Sequence, residues 1–136
     1  MDAEGRPAAS PWLKCETLTA GAALVCRFTG DLSMDSEAEA AGALHSALDR
    51  RPAVLAVDLA RVGLFTSSGL NLLLAARRRA LAAGVRLVLI APCPMARRVL
   101  ELTDTAALFP VCATAEEAGL LRGSPSGPAP GPGRSR

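Results

Sequence analysis

The sequence predicts a mixed α/β domain in which helices pack against a β-sheet, and three observations support this prediction. Short apolar runs at 54–57 and 85–90 have the length and composition of strands that are covered on both faces. Segments with leucines at helical spacing separate these runs. Before them, two strand-like segments are joined by a short turn, as in an antiparallel hairpin. The predicted order of elements is therefore β-β-α-β-α-β-α-β-α.

The first three elements follow from local patterns. Leu13–Thr19 and Leu24–Thr29 are predicted strands, with Gly21 in the turn between them, and apolar and polar residues alternate in the second strand. A helix follows, where Ser36 and Glu39 have the spacing of a capping box. The face of this helix toward the core is predicted to carry Ala41, Leu44 and Leu48.

The middle of the chain predicts a strand, a connection and a second helix. The strand covers 54–57 and ends near Asp58, and a right-handed crossover makes it parallel to the second hairpin strand. The second helix covers about 68–83, and Gly84 terminates it. The connection before this helix passes Val62, Leu64 and Phe65. The inner residues of the helix are predicted to be Leu70, Leu73, Leu74 and Leu81.

The last part predicts a strand at 85–90, a third helix, an edge strand and a short final helix. Pro94 suits the first turn of the third helix, and Leu108–Cys112 is the edge strand. Thr114 and Glu117 have capping-box spacing for the last helix, which runs to about Arg122. The inner face of the third helix is predicted to be Met95, Val99 and Leu102.

The composition of the chain indicates where the folded domain begins and ends. Half of the 136 residues are apolar, which is enough for one core. The segments 1–11 and 123–136 contain little that could be buried, and the second is rich in Pro, Gly and Ser. Both ends are therefore predicted to be disordered, and the folded domain is predicted to cover residues 12–122.

The same composition argues against several classes of function. The net charge is only +2 and aromatic residues make up 3%, so no nucleic-acid surface is predicted. The sequence shows neither a membrane span nor a signal peptide, which predicts a cytoplasmic protein without membrane contact. The four cysteines form no Cys-x-x-Cys pair, which predicts free, mostly buried thiols and no metal or cofactor. Cys15 and Cys26 could face each other across the hairpin.

The most informative residues are the small polar ones at the start of the second helix, Thr66, Ser67, Ser68 and Gly69. They follow the carboxyl end of a buried strand, where α/β folds tend to carry their functional sites. One hydroxyl would cap the helix, with a benefit of about 1 kcal/mol, and the chain supplies three. A phosphate on Ser67 would also be accommodated at the positive end of the helix dipole. From the residues alone, plain capping is favoured and a phosphorylation switch is the alternative.

Three segments carry a resemblance to a known family: LVCRFTGDL, VLAVDLARVGLFTSSGL and GVRLVLIAPCPMARRVLELTDTAALFPV. Together with the order of elements, they resemble the STAS domain family over about residues 13–122, and within it the bacterial anti-sigma factor antagonists. The resemblance implies a STAS-like mixed β-sheet with helices packed against it. It also implies a protein that binds an anti-sigma factor, commonly a serine kinase, and so releases a sigma factor for transcription.

The resemblance also implies the site residues. In such antagonists the kinase phosphorylates the Ser of a D-S-[ST]-G-L motif, which ends the binding, and a phosphatase resets the system. Ser67 matches the phosphoacceptor, with Ser68 and then Thr66 as the next candidates. The partner-binding residues implied are Asp31, Ser33, Asp35, Thr66, Ser67, Ser68, Gly69, Leu70 and Asn71.

The sequence departs from the family pattern at three positions. Thr66 stands where the motif has Asp, and the early G-E-L-D turn reads Gly-Asp-Leu-Ser at 30–33, so that its second acid is missing. Asn71 stands where many relatives carry Gly. The missing carboxylates leave an alternative open, in which the domain is a constitutive STAS scaffold, or an accessory subunit that binds a transporter ATPase, without phosphorylation.

An enzyme is the rival interpretation from another class. A Ser nucleophile needs a base within hydrogen-bond reach, and His45, in the first predicted helix, is the sole histidine. The sequence contains no G-x-S-x-G elbow, phosphate-binding loop or metal motif. It therefore predicts a binding protein without catalytic activity of its own.

Overall fold

The structure, a computed structural model, describes residues 13–121. Strands and helices follow one another in the predicted order β-β-α-β-α-β-α-β-α. The strands are β1 (Leu13–Ala20), β2 (Ala23–Leu32), β3 (Val54–Phe65), β4 (Arg86–Ile90) and β5 (Val111–Cys112). The helices are α1 (Glu37–Asp49), α2 (Ser67–Ala83), α3 (Pro94–Leu102) and α4 (Ala115–Gly119), with 3₁₀ turns at Met34–Ser36 and Ala106–Leu108. The segments 1–11 and 123–136, predicted to be disordered, and the domain limits at 12 and 122 lie outside the described residues.

The five strands form one mixed sheet in the order β1-β2-β3-β4-β5. The predicted hairpin is confirmed, because β1 and β2 pair antiparallel, with Leu13 opposite Gly30 and Ala20 opposite Ala23. Each following pair of strands is parallel. The carboxyl ends of β2, β3 and β4 therefore lie along the same edge of the sheet.

Strand β3 is longer than predicted. The expected end near Asp58 is wrong, since β3 continues through the presumed connection to Phe65. Its pairing with β2 shifts register twice, between Arg27 and Thr29 and between Gly30 and Asp31. These irregularities break the alternation of buried and exposed residues, because a bulge changes the face on which the next side chain lies.

The two faces of the sheet have separate cores. The larger core joins α1, α2 and α3 to residues such as Phe28, Leu55 and Leu89. The smaller core lies on the opposite face, where Ala118 of α4 packs with Val25, Val88 and neighbouring strand residues. Small side chains in the helices, such as Ala40, Ala76 and Ala96, let the helices of the larger core lie close to the sheet.

The structure corrects the predicted inner face of two helices. In α2, Leu81 is 46% exposed, and Leu72 is buried instead. In α3, Met95 and Leu102 are 43% and 74% exposed, and Ala96 and Leu100 are buried. The remaining predicted inner residues of these helices are buried, or partly buried against the same core: Leu70, Leu73, Leu74 and Val99.

The predicted helix caps are correct in part. Gly84 ends α2 in the left-handed conformation, with φ 73°, and Pro94 opens α3. Thr114 caps α4 by accepting a hydrogen bond from the Glu117 amide, but the Glu117 carboxylate accepts from Ala113 instead of returning to Thr114. The Ser36 side chain does not cap α1, because it belongs to the preceding 3₁₀ turn.

The last predicted strand and helix are shorter than expected. The strand is limited to Val111–Cys112, because Ala106–Leu108 forms a 3₁₀ turn. Helix α4 ends at Gly119, where the chain contacts the β1–β2 turn. The Ala22 amide donates to the Gly119 carbonyl at 3.0 Å. A Cβ on Gly21, whose φ is +54°, would lie 2.5 Å from that carbonyl oxygen, so this contact requires glycine.

The four cysteines are free thiols, and the first two are neighbours in the hairpin. Cys15 lies opposite Phe28, and Cys26 lies opposite Thr17, so the two thiols are diagonal and not directly opposite. The hydrogen bond from the Cys26 thiol lowers the pKa of the exposed Cys15, whereas the same contact and burial raise the pKa of Cys26. Burial raises the pKa of Cys112.

Candidate functional site

Thr66 forms the cap of α2 and connects it to the neighbouring strand. Its backbone is extended, with φ −109° and ψ −174°, and its Oγ1 accepts a hydrogen bond from the Ser68 amide at 3.2 Å. The same hydroxyl donates to the Leu32 carbonyl at 3.3 Å, and the Thr66 amide donates to that carbonyl at 3.1 Å. Thr66 therefore supplies the cap that the sequence predicted, and its hydroxyl is engaged.

Ser67 is the most exposed of the three hydroxyl residues at this turn. It is the first residue of α2, and its side chain forms no hydrogen bond within the described part of the chain. Thr66 and Ser68 are half-buried. At the positive end of a helix dipole, an exposed and unengaged hydroxyl is accessible to another protein and can carry an anionic group.

Gly69 and Leu70 lie beneath this surface. Both are buried, so they support the turn from below, whereas Asn71 is exposed. A Cβ on Gly69 would lie 2.9 Å from Cε1 of Phe65, closer than real Cβ contacts. The glycine therefore lets the first turn of α2 pack directly on the ring of Phe65, which is 2% exposed.

The acidic segment predicted for the same surface lies beside the α2 turn. In the parallel pairing of β2 and β3, Asp31 is opposite Leu64 and Leu32 is opposite Phe65. The chain then enters the 3₁₀ turn, which presents Asp35 to solvent. Asp31 and Ser33 are half-exposed. The structure therefore brings residues 31–35 next to 66–71.

Ser36 holds the acidic segment in place. Its hydroxyl donates to the Asp31 carbonyl at 2.6 Å and accepts from the Ser33 amide at 3.1 Å. Ser36 itself is 1% exposed. Because this buried hydroxyl both donates and accepts a hydrogen bond, it fixes the bend of the chain after β2, between Asp31 and Asp35.

Sequence reasoning missed three exposed apolar residues around this surface. Met34, Leu64 and Met95 are 78%, 38% and 43% exposed. Met95 contacts the turn directly, because its Sδ accepts a hydrogen bond from the Phe65 amide at 3.4 Å. Leu64 was placed in a connection, and Met95 was placed in the core, so neither was considered for binding.

A groove of about 630 Å³ extends this surface toward α3. Val62 and Gly63 of β3 form one wall, and the first turns of α3 form the other. Arg97, Arg98 and Glu101 line the groove together with Met95. Asp31 lies close to Gly63, since its Oδ1 would be 3.7 Å from a Cβ at that position. The surface is therefore acidic beside β2 and mainly basic beside α3, with apolar side chains between.

The family of the chain follows from this architecture and from its sequence. The family described as "Mlab, STAS domain" matches residues 15–110, which is most of the described fold. The chain belongs to the STAS domain family. The Thr66–Leu70 turn of this STAS domain lies inside the matched range, as does the acidic segment after β2.

Solved structures have the same fold. An anti-sigma factor antagonist from Mycobacterium paratuberculosis has 22% identity and a TM-score of 0.69, and the match covers 82% of this chain and 95% of that one. The anti-sigma factor antagonist SpoIIAA in its unphosphorylated form has 21% identity and a TM-score of 0.63, with 77% and 91% covered. The phosphorylated form of SpoIIAA from Bacillus has 20% identity and a TM-score of 0.60, with 77% and 95% covered. Among curated proteins, none matches the sequence.

Proposed function

We propose that this STAS domain is an anti-sigma factor antagonist, which binds an anti-sigma factor of the serine kinase class and so releases a sigma factor for transcription. The observation that carries the proposal is the exposed, unengaged hydroxyl of Ser67 at the start of α2. It lies beside Asp31 and Asp35, on a surface that also exposes Leu64 and Met95. Apolar groups surrounded by charged ones are typical of a protein interface.

The solved structures with this fold support the same proposal. Those of SpoIIAA are of an anti-sigma factor antagonist in an unphosphorylated and a phosphorylated form. We propose that Ser67 is the phosphoacceptor of this chain and that a phosphatase removes the phosphate. A phosphate on Ser67 would place a bulky, hydrated dianion on the docking surface, so it would displace a docked partner while the helix dipole keeps the fold intact.

We propose that the protein is cytoplasmic and that it binds a partner without catalysing a reaction. The carbonyl of His45 accepts a hydrogen bond from Arg79, which lies about three turns, or about 18 Å, along α2 from Ser67. No general base of the imidazole type therefore adjoins Ser67 within residues 13–121. None of the described helices is long and apolar enough to cross a membrane.

A second function is favoured by Thr66. Its hydroxyl, and not a carboxylate, forms the α2 cap next to the acceptor serine. The domain would then be a constitutive STAS scaffold, or an accessory subunit that binds a transporter ATPase, without phosphorylation. In that case the surface of residues 31–35 and 66–71 binds the partner in the same way, but no kinase modifies it.

Partner binding is tested by measuring the affinity of the full chain for the anti-sigma kinases of its source by calorimetry. Ser67→Asp should lower the affinity by at least about tenfold, because it places a charge without a partner in the interface. Ser46→Asp is the matched control, since Ser46 is exposed on α1, away from the turn. Absence of binding by folded parent protein to every such kinase contradicts the proposal.

Phosphorylation is tested by incubation with the bound kinase and ATP, followed by phosphopeptide mass spectrometry. The phosphate should be found on Ser67, and Ser67→Ala should abolish it, whereas Ser68→Ala should not. Modification that persists in Ser67→Ala would show that the acceptor is another residue. A stable complex without any modification would favour the constitutive function.

A further inference from the structure

Two cysteines of the β1–β2 hairpin contact each other on one face of the sheet. Cys15 is opposite Phe28 and Cys26 is opposite Thr17, so the two cysteines occupy diagonal positions of neighbouring strands. Diagonal side chains of an antiparallel pair share one face of the sheet. The Cys26 thiol donates a hydrogen bond to the sulfur of Cys15. The two sulfurs are therefore already neighbours in the folded chain.

The two thiols differ in their access to solvent. Cys15 is exposed on β1, whereas Cys26 is 0% exposed and belongs to the larger core. Cys93 is buried and Cys112 is half-buried, so Cys15 is the most accessible of the four cysteines. A small oxidant dissolved in water can therefore reach Cys15 first, with Cys26 directly behind it.

The contact also makes the two thiols chemically unequal. The hydrogen bond from Cys26 lowers the pKa of Cys15, although burial and the neighbouring Glu16 act in the opposite direction. The same hydrogen bond, together with burial, raises the pKa of Cys26. The thiolate is the nucleophilic form of cysteine, and redox-sensing cysteines are accessible, have a low pKa and adjoin a second thiol. Cys15 has the properties of the attacking residue, and Cys26 has those of the second thiol.

The position of the pair in the sheet allows the sulfurs to approach further. Among residues 13–121, β1 pairs with β2 alone, and its residues 14–17 are exposed. A small shift of this outer strand therefore disturbs few packed side chains. Cys26, in contrast, is held by the core around β2. The adjustment that a covalent bond requires would fall on β1.

We propose that Cys15 and Cys26 form a reversible disulfide when the protein meets hydrogen peroxide. The Cys15 thiolate attacks one peroxide oxygen, so that an S–O bond forms, the O–O bond breaks, and the departing hydroxide takes a proton from solvent. The Cys26 thiol then attacks the sulfur of this sulfenic acid, and an S–S bond replaces the S–O bond while the thiol proton leaves with the hydroxide as water. Two thiols are oxidised, one peroxide is reduced, and the products are one disulfide and two water molecules.

The cysteine pair is separate from the proposed partner surface. Cys26 precedes Asp31 by five residues of β2, which corresponds to about 17 Å along the strand. The proposal therefore does not depend on the identity of the partner at Ser67. Transient disulfides that sense oxidants are also compatible with a reducing compartment.

The proposal is tested by adding a small molar excess of hydrogen peroxide to the reduced full chain, followed by peptide mapping without reduction. Mapping should find a peptide pair linked through Cys15 and Cys26, and dithiothreitol should remove this link. Three results would overturn the proposal: unmodified Cys15, Cys15 present as a sulfinic acid, or Cys15 linked to the Cys15 of a second chain.

Three variants assign the roles of the two thiols. Cys15→Ser changes an exposed residue and should slow the loss of free thiols at least about tenfold, because the buried Cys26 is poorly accessible. In Cys26→Ala, Cys15 should accumulate as a sulfenic acid that dimedone traps, since the second thiol is missing. Cys112→Ser, on β5, is the control and should form the disulfide as the parent does.

Circular dichroism verifies that Cys26→Ala is folded, and Cys15→Ser provides an independent test if it is not. Thiol loss at the parent rate in Cys15→Ser would contradict the role of Cys15. A folded Cys26→Ala that forms no dimedone adduct would contradict the role of Cys26.

Discussion

At its first turn, α2 presents hydroxyl groups next to Asp31 and Asp35, whereas its last turns present Arg77 next to the exposed Leu81. The first arrangement matches the helix dipole, because carboxylates are favoured near its positive end, whereas the last turn of α2 carries no basic residue. The two ends also differ in what their polar groups contact. The Thr66 hydroxyl bonds to the Ser68 amide of its own helix and to the Leu32 carbonyl, while Arg77 Nε donates to the carbonyl of Leu108, in the segment before β5.

This difference indicates how each end of α2 can function. The first turn is structurally complete without a ligand, so a modification of Ser67 would change what the surface offers to a partner and not the fold itself. At the opposite end, Arg77 connects α2 to the segment before β5, beside the exposed Leu81 and Leu108. The first end is thus suited to regulation by added charge, and the second joins α2 to the edge of the sheet.

The largest expected difference between the two ends of α2 is in how much a truncated side chain lowers the free energy of unfolding. Phe65→Ala should lower the free energy of unfolding by about 3 to 5 kcal/mol, because the ring is buried beneath the first turn of α2. Leu81→Ala, at the exposed end, should lower it by about 0.5 kcal/mol. Urea unfolding monitored by circular dichroism measures both values. Phe65→Leu, which keeps more of the volume, should lose less than Phe65→Ala, and equal losses for Phe65→Ala and Leu81→Ala would contradict the comparison.

The sequence predicted the caps of α2 but not the contact that Arg77 makes near the opposite end, and this difference has physical reasons. The hydroxyl turn is local: a cap is a pattern of adjacent residues, so Thr66, Ser67 and Gly84 could be assigned without tertiary contacts. The contact between Arg77 and Leu108 depends on the length of β5. No short-range pattern encodes that length, because Pro110 is compatible with either arrangement.

Two further errors show where periodicity is insufficient. In α3, Met95, Val99 and Leu102 have helical spacing, yet Ala96 and Leu100 form the buried stripe. Alanine is buried readily but contributes little to a hydrophobic pattern, so the true face was not recognised. In β3, the bulges disrupt the two-residue alternation, and the second half therefore resembled a loop.

The second contrast concerns two glycines, Gly69 in the first turn of α2 and Gly84 directly after its end. Gly69→Ala should lower stability by about 1 to 2 kcal/mol, because the new methyl group would press on the buried Phe65 ring, and this cost exceeds the gain in helix propensity. Gly84→Ala should lose about 1 kcal/mol for a different reason, since its φ of +73° disfavours any Cβ although no atom lies within 4 Å.

The two glycine variants should respond to different second changes. Phe65→Leu should recover part of the loss in Gly69→Ala by making room, and it should not help Gly84→Ala. Gly84→Asn should be better tolerated than Gly84→Ala, because Asn adopts the left-handed conformation more easily. Thermal and urea unfolding of the single and double variants measure these couplings. Full additivity of Gly69→Ala and Phe65→Leu would show that the ring is not the cause.

The smallest expected effect on stability is at Thr66, and it also bears on function. Thr66→Ala should lose about 1 kcal/mol, because the Ser68 amide loses its acceptor. Thr66→Ser keeps the hydroxyl, and its stability should remain close to that of the parent.

Thr66→Asp also keeps an acceptor, adds a negative charge near the helix N-terminus, and restores the acid that the family motif places before the serine. If the missing carboxylate is what limits the kinase reaction, Thr66→Asp should be phosphorylated on Ser67 faster than the parent, with the unfolding midpoint nearly unchanged. Equal rates for Thr66→Asp and Thr66→Ser would show that the threonine cap serves the reaction as well as the aspartate does, and the departure from the motif would then have no regulatory meaning.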